Sequence, residues 1–213
     1  MRGRVLPYGP EAVLVEVDGL AEAIGLADHL ERTAAQSGSA LDGRVREIVP
    51  GARTVLVSTE PEHLPWLRGW IERMLPTMAA AERRTDPRVE VIRVTYDGPD
   101  LAEVARLTGL TEAAVIDAHT GTPWTVGFAG FTHGFFYLTD GDPRLVVPRR
   151  DSPRTSVPGG SVAIAGPYSG VYPRTGPGGW QLIGRTDAVM WEPRPATPTL
   201  LRPGMQVRFE VAP

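Results

Sequence analysis

Apolar and polar positions alternate over Ala12–Val17, with β-branched side chains recurring every second residue, which predicts a strand. From Leu20 to about Ala35 the period lengthens, and Ile24, Ala27, Leu30 and Ala34 form a helical stripe. Arg44–Val49 and Arg53–Ser58 read as two strands joined by a Pro50-Gly51 turn, a hairpin signal. A second helix is expected from Pro61 to about Arg83, with Leu64, Leu67, Ile71 and Leu75 on one face. Pro65 falls in its first turn, where a missing N–H costs little. The order β-α-β-β-α predicts a small two-layer α+β domain. The polar stretch Ala81–Pro87 marks its end and divides the chain into residues 1–87 and 88–213.

The second region opens with a strand at Arg88–Tyr96 and a turn at Asp97-Gly98. Asp100 is placed to cap a helix, with Glu103 at the capping-box position and Gly109 at its end; Thr111 caps a second helix running to about Ala118. Two helices so arranged resemble a DNA-binding helix-turn-helix. The second carries Glu112 and Asp117 and no Arg, so it would turn acidic groups toward phosphates, and packing of both helices on a sheet is the expectation instead. Between Gly121 and Trp180, 20 of 60 residues are Gly or Pro, a density that without other signals means disorder. Strand-like runs interrupt it at Trp124–Phe128, Phe135–Leu138, Leu145–Val147, Ser161–Ala165, Gly170–Tyr172 and Trp180–Ile183, and continue at Ala188–Trp191 and Gln206–Val211. Many short strands between turn residues predict a mainly-β barrel or sandwich.

Composition narrows the chemistry. All 22 basic residues are Arg, and there is neither Lys nor Cys. This excludes a Schiff-base lysine, a phosphate-loop lysine, a lysine-dependent amidase triad, thiolate nucleophiles and Cys-ligated metals. A net charge of −3 argues against a general nucleic-acid binder. The N-terminus lacks a signal-peptide apolar core, and no apolar run nears the ~18 residues of a membrane span. A cytoplasmic protein with no membrane contact is expected. Charge is also uneven: Arg144–Arg185 holds six Arg and one acid, whereas the remainder is acidic. Either these arginines meet an anionic partner, or they pair with acids elsewhere on the fold.

Several groupings could carry chemistry. The run Gly130-Phe131-Thr132-His133-Gly134-Phe135-Phe136-Tyr137-Leu138 would offer close backbone approach and an aromatic wall, or else a barrel corner with core rings. Ser161, in Gly159-Gly160-Ser161, is one residue short of a nucleophile elbow and precedes a strand where that motif needs a helix. His119 reads either as a general base or substrate donor, or as a hydrogen-bonded structural ring. Asp97, Asp100, Asp140 and Asp142 would suit Mg²⁺ in phosphoryl transfer, although turn and capping roles explain them more simply; no metal site is assigned.

Pro148-Arg149…Pro153-Arg154…Val157-Pro158-Gly159-Gly160-Ser161-Val162-Ala163-Ile164-Ala165-Gly166, followed by Gly170-Val171-Tyr172-Pro173 and Pro177-Gly178-Gly179-Trp180-Gln181-Leu182-Ile183-Gly184-Arg185-Thr186, resembles the family of 5-oxoprolinase B-type subunits, also called KipI-like or allophanate hydrolase subunit 1. Tyr96…Gly98-Pro99-Asp100-Leu101, His119-Thr120 and the Gly130–Leu138 run fit it too. The resemblance implies an α+β N-terminal two-layer domain followed by a mainly-β cyclophilin-like barrel. It implies a non-autonomous subunit that joins a larger, KipA-like C-type subunit of related barrel fold and a third subunit to open 5-oxoproline to glutamate with ATP. ATP and Mg²⁺ would then sit mainly on the partner, because this chain lacks lysine and a phosphate loop. Other readings of the family are a regulator that inhibits a sensor histidine kinase and a carboxyltransferase component related to urea carboxylase. Under the first reading a small carboxylate substrate would meet Arg149, Arg154, Tyr172 and Arg185, with Gly130, Phe131, Gly134, Phe135 and Ser161 around it and His119 as the catalytic candidate. His133, Tyr168 and Gly176 depart from the family pattern, His133 and Tyr168 at expected pocket loops.

Overall fold

In the computed structural model, which describes residues 1–78, 86–194 and 197–213, the alternating segment Ala12–Val17 is the second strand of its sheet. It is preceded by β1 (Gly3–Pro7), which the polar Arg2-Gly3-Arg4 start and Pro7 conceal in the sequence. With β2 (Ala12–Val17), α1 (Leu20–Ala35), β3 (Glu47–Pro50), β4 (Thr54–Ser58) and α2 (Leu64–Met74), the order is β-β-α-β-β-α. The sheet runs β1-β2-β4-β3, antiparallel throughout. Val13, Val15, Val55 and Val57 on one face meet Leu26 and Leu30 of α1 and Leu67 and Ile71 of α2, all fully or nearly fully buried. Each such side chain contributes about 1.5–3 kcal/mol by leaving water. The helix expected to reach Arg83 stops at Met74, because Pro76 cannot continue it, and the chain turns through a short 3-10 segment at Leu75–Thr77. Residues 79–85, which include the expected helix end near Arg83 and most of the polar boundary stretch, lie outside the described residues.

The chain folds as two compact units, residues 1–84 and 85–213. The second contains β5 (Val89–Val94), α3 (Leu101–Thr108), α4 (Glu112–Gly121), β6 (Trp124–Ala129), β7 (Phe136–Thr139), β8 (Arg154–Val157), β9 (Ser161–Ala165), β10 (Tyr168–Val171), β11 (Gly176–Gly178), β12 (Gln181–Arg185) and β13 (Gln206–Val211). Seven strands form one sheet in the order β12-β9-β10-β7-β6-β13-β5. Its two edges meet where Thr95 and Arg185 exchange backbone hydrogen bonds of 2.8 and 2.9 Å, so the sheet is a nearly closed barrel. β5 and β13 pair in parallel, and β8 and β11 form a separate two-stranded ribbon. Both ribbon strands escape a periodicity reading: β8 has one buried residue, and β11 is Gly-Pro-Gly. Leu145–Val147, expected as a strand, is a 3-10 turn at Pro143–Leu145 plus one bridge from Val147 to Gly166. Ala188–Trp191 contributes a bridge at Trp191 and no strand.

Strand alternation sorts this unit into two apolar layers. Val126, Leu138, Val162, Ile164, Ile183 and Phe209 fill the interior, where Leu101 and Val104 of α3 and Val115 of α4 join them. Both helices therefore turn their apolar faces to the core. The opposite face of the strands carries Phe135, Ala163, Ala165, Tyr172, Trp180 and Leu182. A bulge at Gly127 moves one ring between layers: Val126 pairs with inward Leu138, but Phe128 pairs with outward Tyr137 and stacks on it at 4.4 Å.

Candidate functional site

The turn after β5 lies against the backbone of β12. A Cβ at Gly98 would overlap the Leu182 carbonyl oxygen and the Ile183 carbonyl carbon, so glycine is required there. Two residues on, the Asp100 N–H donates to Leu182 O (3.0 Å), and the Leu182 N–H donates back to Asp100 Oδ2 (2.7 Å). Asp100 stands at the N-terminus of α3, yet its side chain makes no capping bond; Glu103, the other half of the expected capping box, pairs with Arg106. The Asp100 carboxylate instead takes Arg154 in a bidentate pair, 2.8 Å on each arm, and Arg150 Nη1 at 2.7 Å. Burial pushes this carboxyl up, but the Arg154 and Leu182 hydrogen bonds and the two guanidinium charges outweigh that and hold it below the ordinary carboxylate range. Two cations meet one buried anion here, while the adjacent cleft is lined by three acids (Asp100, Glu103, Asp151) and three arginines (Arg106, Arg149, Arg150).

The segment carrying Arg149 and Arg150 is pinned by its backbone. Arg150 N–H donates to Gly179 O (2.8 Å), and the Gln181 side-chain amide donates to Pro148 O (3.2 Å). Beside it opens a cleft of about 540 Å³, within the range of small-molecule sites, lined by Asp100, Arg106, Arg149, Arg150 and Gln181 among others. Of the six loop arginines, four are paired with acids: Arg144 with Asp142, Arg150 and Arg154 with Asp100, and Arg185 with Asp97. Among the described residues Arg149 and Arg174 have no ion pair. Arg149 is exposed and acts electrostatically on the Tyr172 hydroxyl, while Arg174 donates to Thr132 Oγ1 at 2.6 Å. Thus Arg154 is committed to Asp100, and Arg149 is an exposed guanidinium with no ion pair among the described residues.

The Gly130–Leu138 run does build an aromatic wall. Phe131 takes a left-handed backbone (φ 68°) and is 59% exposed, standing on Phe135 and Tyr172 with ring separations of 5.6 and 6.2 Å. Tyr172 is buried; burial pushes its hydroxyl up, and the Trp180 N–H and the Arg149 charge oppose that. Gly130 faces the Tyr137 ring, and Gly134 (φ 79°) is pressed onto Trp191. Tyr168 packs edge-on to Phe128 and Tyr137, His133 is exposed beside Trp191, and Gly176 opens β11. Ser161 is 6% exposed at the start of β9, in register with Arg185, and no hydrogen bond to a base is seen for its hydroxyl among the described residues.

His119 lies elsewhere. Its ring is fully buried, stacked on Phe209 at 4.3 Å. Nδ1 meets the Tyr96 hydroxyl at 2.7 Å and Nε2 meets Ser169 Oγ at 2.8 Å. Because Ser169 Oγ also donates to Ala163 O, the consistent assignment has Tyr96 donating to Nδ1 and Nε2–H donating to Ser169. Burial lowers the ring's pKa to about 3, so it is neutral across the physiological range. Both ring nitrogens of His119 are hydrogen-bonded, and the ring presents no surface to solvent in this geometry. Arg185 is likewise separate, paired with Asp97 on an exposed edge. Reasoning from sequence passed over Arg150 and Gln181, although both fall within the matching motif.

Among the described residues no group of three or more His, Asp or Glu is placed to hold a metal ion, and no helix is long and apolar enough to cross a membrane. With no lysine in the chain, no phosphate-loop lysine is available to a nucleotide.

Residues 3–201 match the family model of the carboxyltransferase domain, subdomains C and D. The chain is 42% identical over 170 residues to the B-type subunit of 5-oxoprolinase from Escherichia coli O157:H7, covering 78% of this chain and 77% of that protein. It is 45% identical over 133 residues to the B-type subunit of 5-oxoprolinase from Bacillus subtilis (strain 168), covering 61% of this chain and 55% of that one. The crystal structure of TTHA0988 superposes with a TM-score of 0.73 at 36% identity, covering all of this chain and 40% of its own. Kluyveromyces lactis urea carboxylase shares the fold at a TM-score of 0.73 and 18% identity, over 99% of this chain and 22% of that enzyme. The chain therefore belongs to the carboxyltransferase C and D family, and within it to the 5-oxoprolinase B-type subunits.

Proposed function

We propose that this chain is a non-autonomous, cytoplasmic subunit of an ATP-dependent assembly that opens 5-oxoproline to glutamate. Its barrel is read as cyclophilin-like and residues 1–87 as a separate domain. The observation that carries the reading is the 42% identity to the B-type subunit of a 5-oxoprolinase over 77% of that protein. The site supports it in chemical terms. 5-Oxoproline is a small carboxylate, and Arg149 is an exposed guanidinium with no ion pair among the described residues, within electrostatic reach of Tyr172 in the aromatic wall. Arg154 and Arg150 contribute through Asp100, which holds the segment in place. ATP and Mg²⁺ are assigned to the partners, a large C-type subunit and a third subunit. Phosphoryl transfer needs positioning and charge neutralisation more than a special nucleophile, so a lysine-free chain can serve in it by orienting substrate.

The test is co-purification with the candidate subunits and an assay of ATP-dependent glutamate release. The complete assembly is expected to turn over and the isolated chain to be inactive; folded components without turnover would overturn the reading. The family model favours one second reading, a component of biotin-dependent carboxyl transfer. Avidin separates the two: it abolishes a biotin-dependent activity and leaves a 5-oxoprolinase untouched.

A further inference from the structure

The barrel closes at one residue pair and then comes apart. β5 lies at the end of its sheet, and the described residues pair it with β13 on one side and, at Thr95 alone, with Arg185 on the other. The register fixes which backbone groups point each way. Gln206 N–H donates to Arg88 O and Ala212 N–H to Val94 O, so the even-numbered residues from 88 to 94 face β13. Thr95 turns both its N–H and its carbonyl to Arg185, in keeping with its odd position. Val89, Val91 and Arg93 therefore direct their N–H groups and carbonyls away from the sheet, and no strand pairs with them among the described residues. β12 does not supply that strand: past Arg185 the chain is diverted, with Thr186 N–H donating to Gly160 O.

The gap is a groove of about 360 Å³, with Val91, Arg93 and Thr95 on one wall and Thr186, Asp187 and Ala188 on the other. Val89 and Val91 are 48% and 43% exposed, and Val189 and Val211, next in sequence to groove-lining Ala188 and Ala212, are 66% and 59% exposed. The charges favour neither sign: Arg93 has Glu210 beside it in register, Arg185 is paired with Asp97, and Asp187 lines the far wall. Recognition at this edge is therefore by main chain and apolar contact. We propose that the groove takes one extended strand of the large C-type partner, added to β5 with an apolar side chain at every second position. A groove walled on both sides admits a single strand, whereas a second copy offering its own β5 would bring a whole sheet against the far wall. The matched module also makes up only 40% of the TTHA0988 chain and 22% of the urea carboxylase chain, so in those proteins further polypeptide accompanies it. The inference rests on the reading of this chain as a non-autonomous subunit, and it names the surface through which the subunit docks.

The experiment is residue-resolved amide hydrogen exchange on the full chain, alone and with the candidate large subunit. Alone, Val89, Val91 and Arg93 are expected to exchange at least about tenfold faster than Glu90, Ile92 and Val94. In the complex the three fast amides are expected to slow by about tenfold or more. Unchanged exchange in a formed complex would overturn the docking site. Val91→Pro is the matching variant, because an N–H without a partner is removed from an edge strand at little cost. It should keep the circular dichroism and urea midpoint of the wild type and weaken the complex by about tenfold or more. A folded variant that binds the large subunit as tightly as the wild type would overturn the proposal; if the variant does not fold, the wild-type exchange decides. Protection of the same amides in the chain alone, with a dimer by sedimentation, would give the edge to a second copy and overturn the partner strand. Failure of this surface and of the wider reading are distinguishable. An assembly that releases glutamate while the three amides stay fast keeps the 5-oxoprolinase reading and removes the surface. Protected amides in an assembly without turnover keep the surface and remove the activity.

Discussion

Two buried polar centres lie in the barrel unit, and they are built on opposite terms. The His119 centre is neutral and closed: a ring whose two nitrogens end on Tyr96 and Ser169 inside an apolar core. The Asp100 centre is charged and open-sided: one carboxylate holds two guanidiniums at the edge of a cleft, and among the described residues Arg150 Nε and Gln181 Oε1 have no hydrogen-bond partner. A histidine invites a catalytic reading and an N-terminal aspartate a capping one. The hydrogen bonds separate the two: His119 is satisfied at both ring nitrogens, whereas Asp100 holds its arginines at the edge of a cleft.

The largest effect expected from breaking this contrast is at Asp100. Asp100→Asn strands two partly buried arginines and should cost about 3 kcal/mol of stability, read from urea unfolding midpoints. An effect under about 1 kcal/mol would mean that the charges relax into water and that the centre is not buried in solution.

The His119 centre should answer to acid. Its folded pKa lies near 3, below the ordinary 6.5, so between these values the unfolded chain binds the extra proton and stability falls as pH falls. The slope due to this ring is about 1 kcal/mol per pH unit. Comparing wild type with His119→Gln from pH 7 to pH 4 should show the wild type losing stability faster by that amount. Parallel curves would show that the ring is accessible to protons in the native state. Asp100 titrates with the same sign, its contribution being lost as pH falls below the ordinary carboxylate range, and it is common to both proteins.

Arg149 tests the charged centre from its open side. Arg149→Met should change stability by no more than about 0.5 kcal/mol, since the residue is exposed and has no ion pair among the described residues, yet raise the KM of the active assembly about tenfold. An unchanged KM would move the anion site elsewhere. The smallest effect belongs to the Arg185–Asp97 pair, exposed on both sides; a double-mutant cycle should return less than about 1 kcal/mol.

The fold was legible where burial imposes alternation. Ala12–Val17, Ser161–Ala165 and Gln206–Val211 are strands at the expected residues because one or both faces meet a core. β1, β8 and β11 were hidden because backbone pairing, with few apolar side chains, makes them strands. Leu145–Val147 has the opposite history: it is apolar enough, but Pro143 and Pro148 bracket it and leave a single bridge. At the candidate site, the arginine-rich motif lies on the loops that meet Asp100. It could not say which arginines find acids, because Asp100 reaches Arg150 and Arg154 across about fifty positions of sequence and its local context reads only as a helix cap.

The placement of β13 has a consequence for how this half of the molecule comes into being. The strand is inserted between β6 and β5, pairing antiparallel with the first and parallel with the second, and its register partners Val89 and Gln206 bracket almost the whole unit. During synthesis, therefore, β5 has no strand partner and β6 has one open edge until nearly all of the barrel has left the ribosome. Long-range strand pairing of this kind is slow, and open edges are templates for association between chains. The nascent chain must wait for its final strand with these sticky edges exposed, a period in which a chaperone or a partner arriving early has the most to protect.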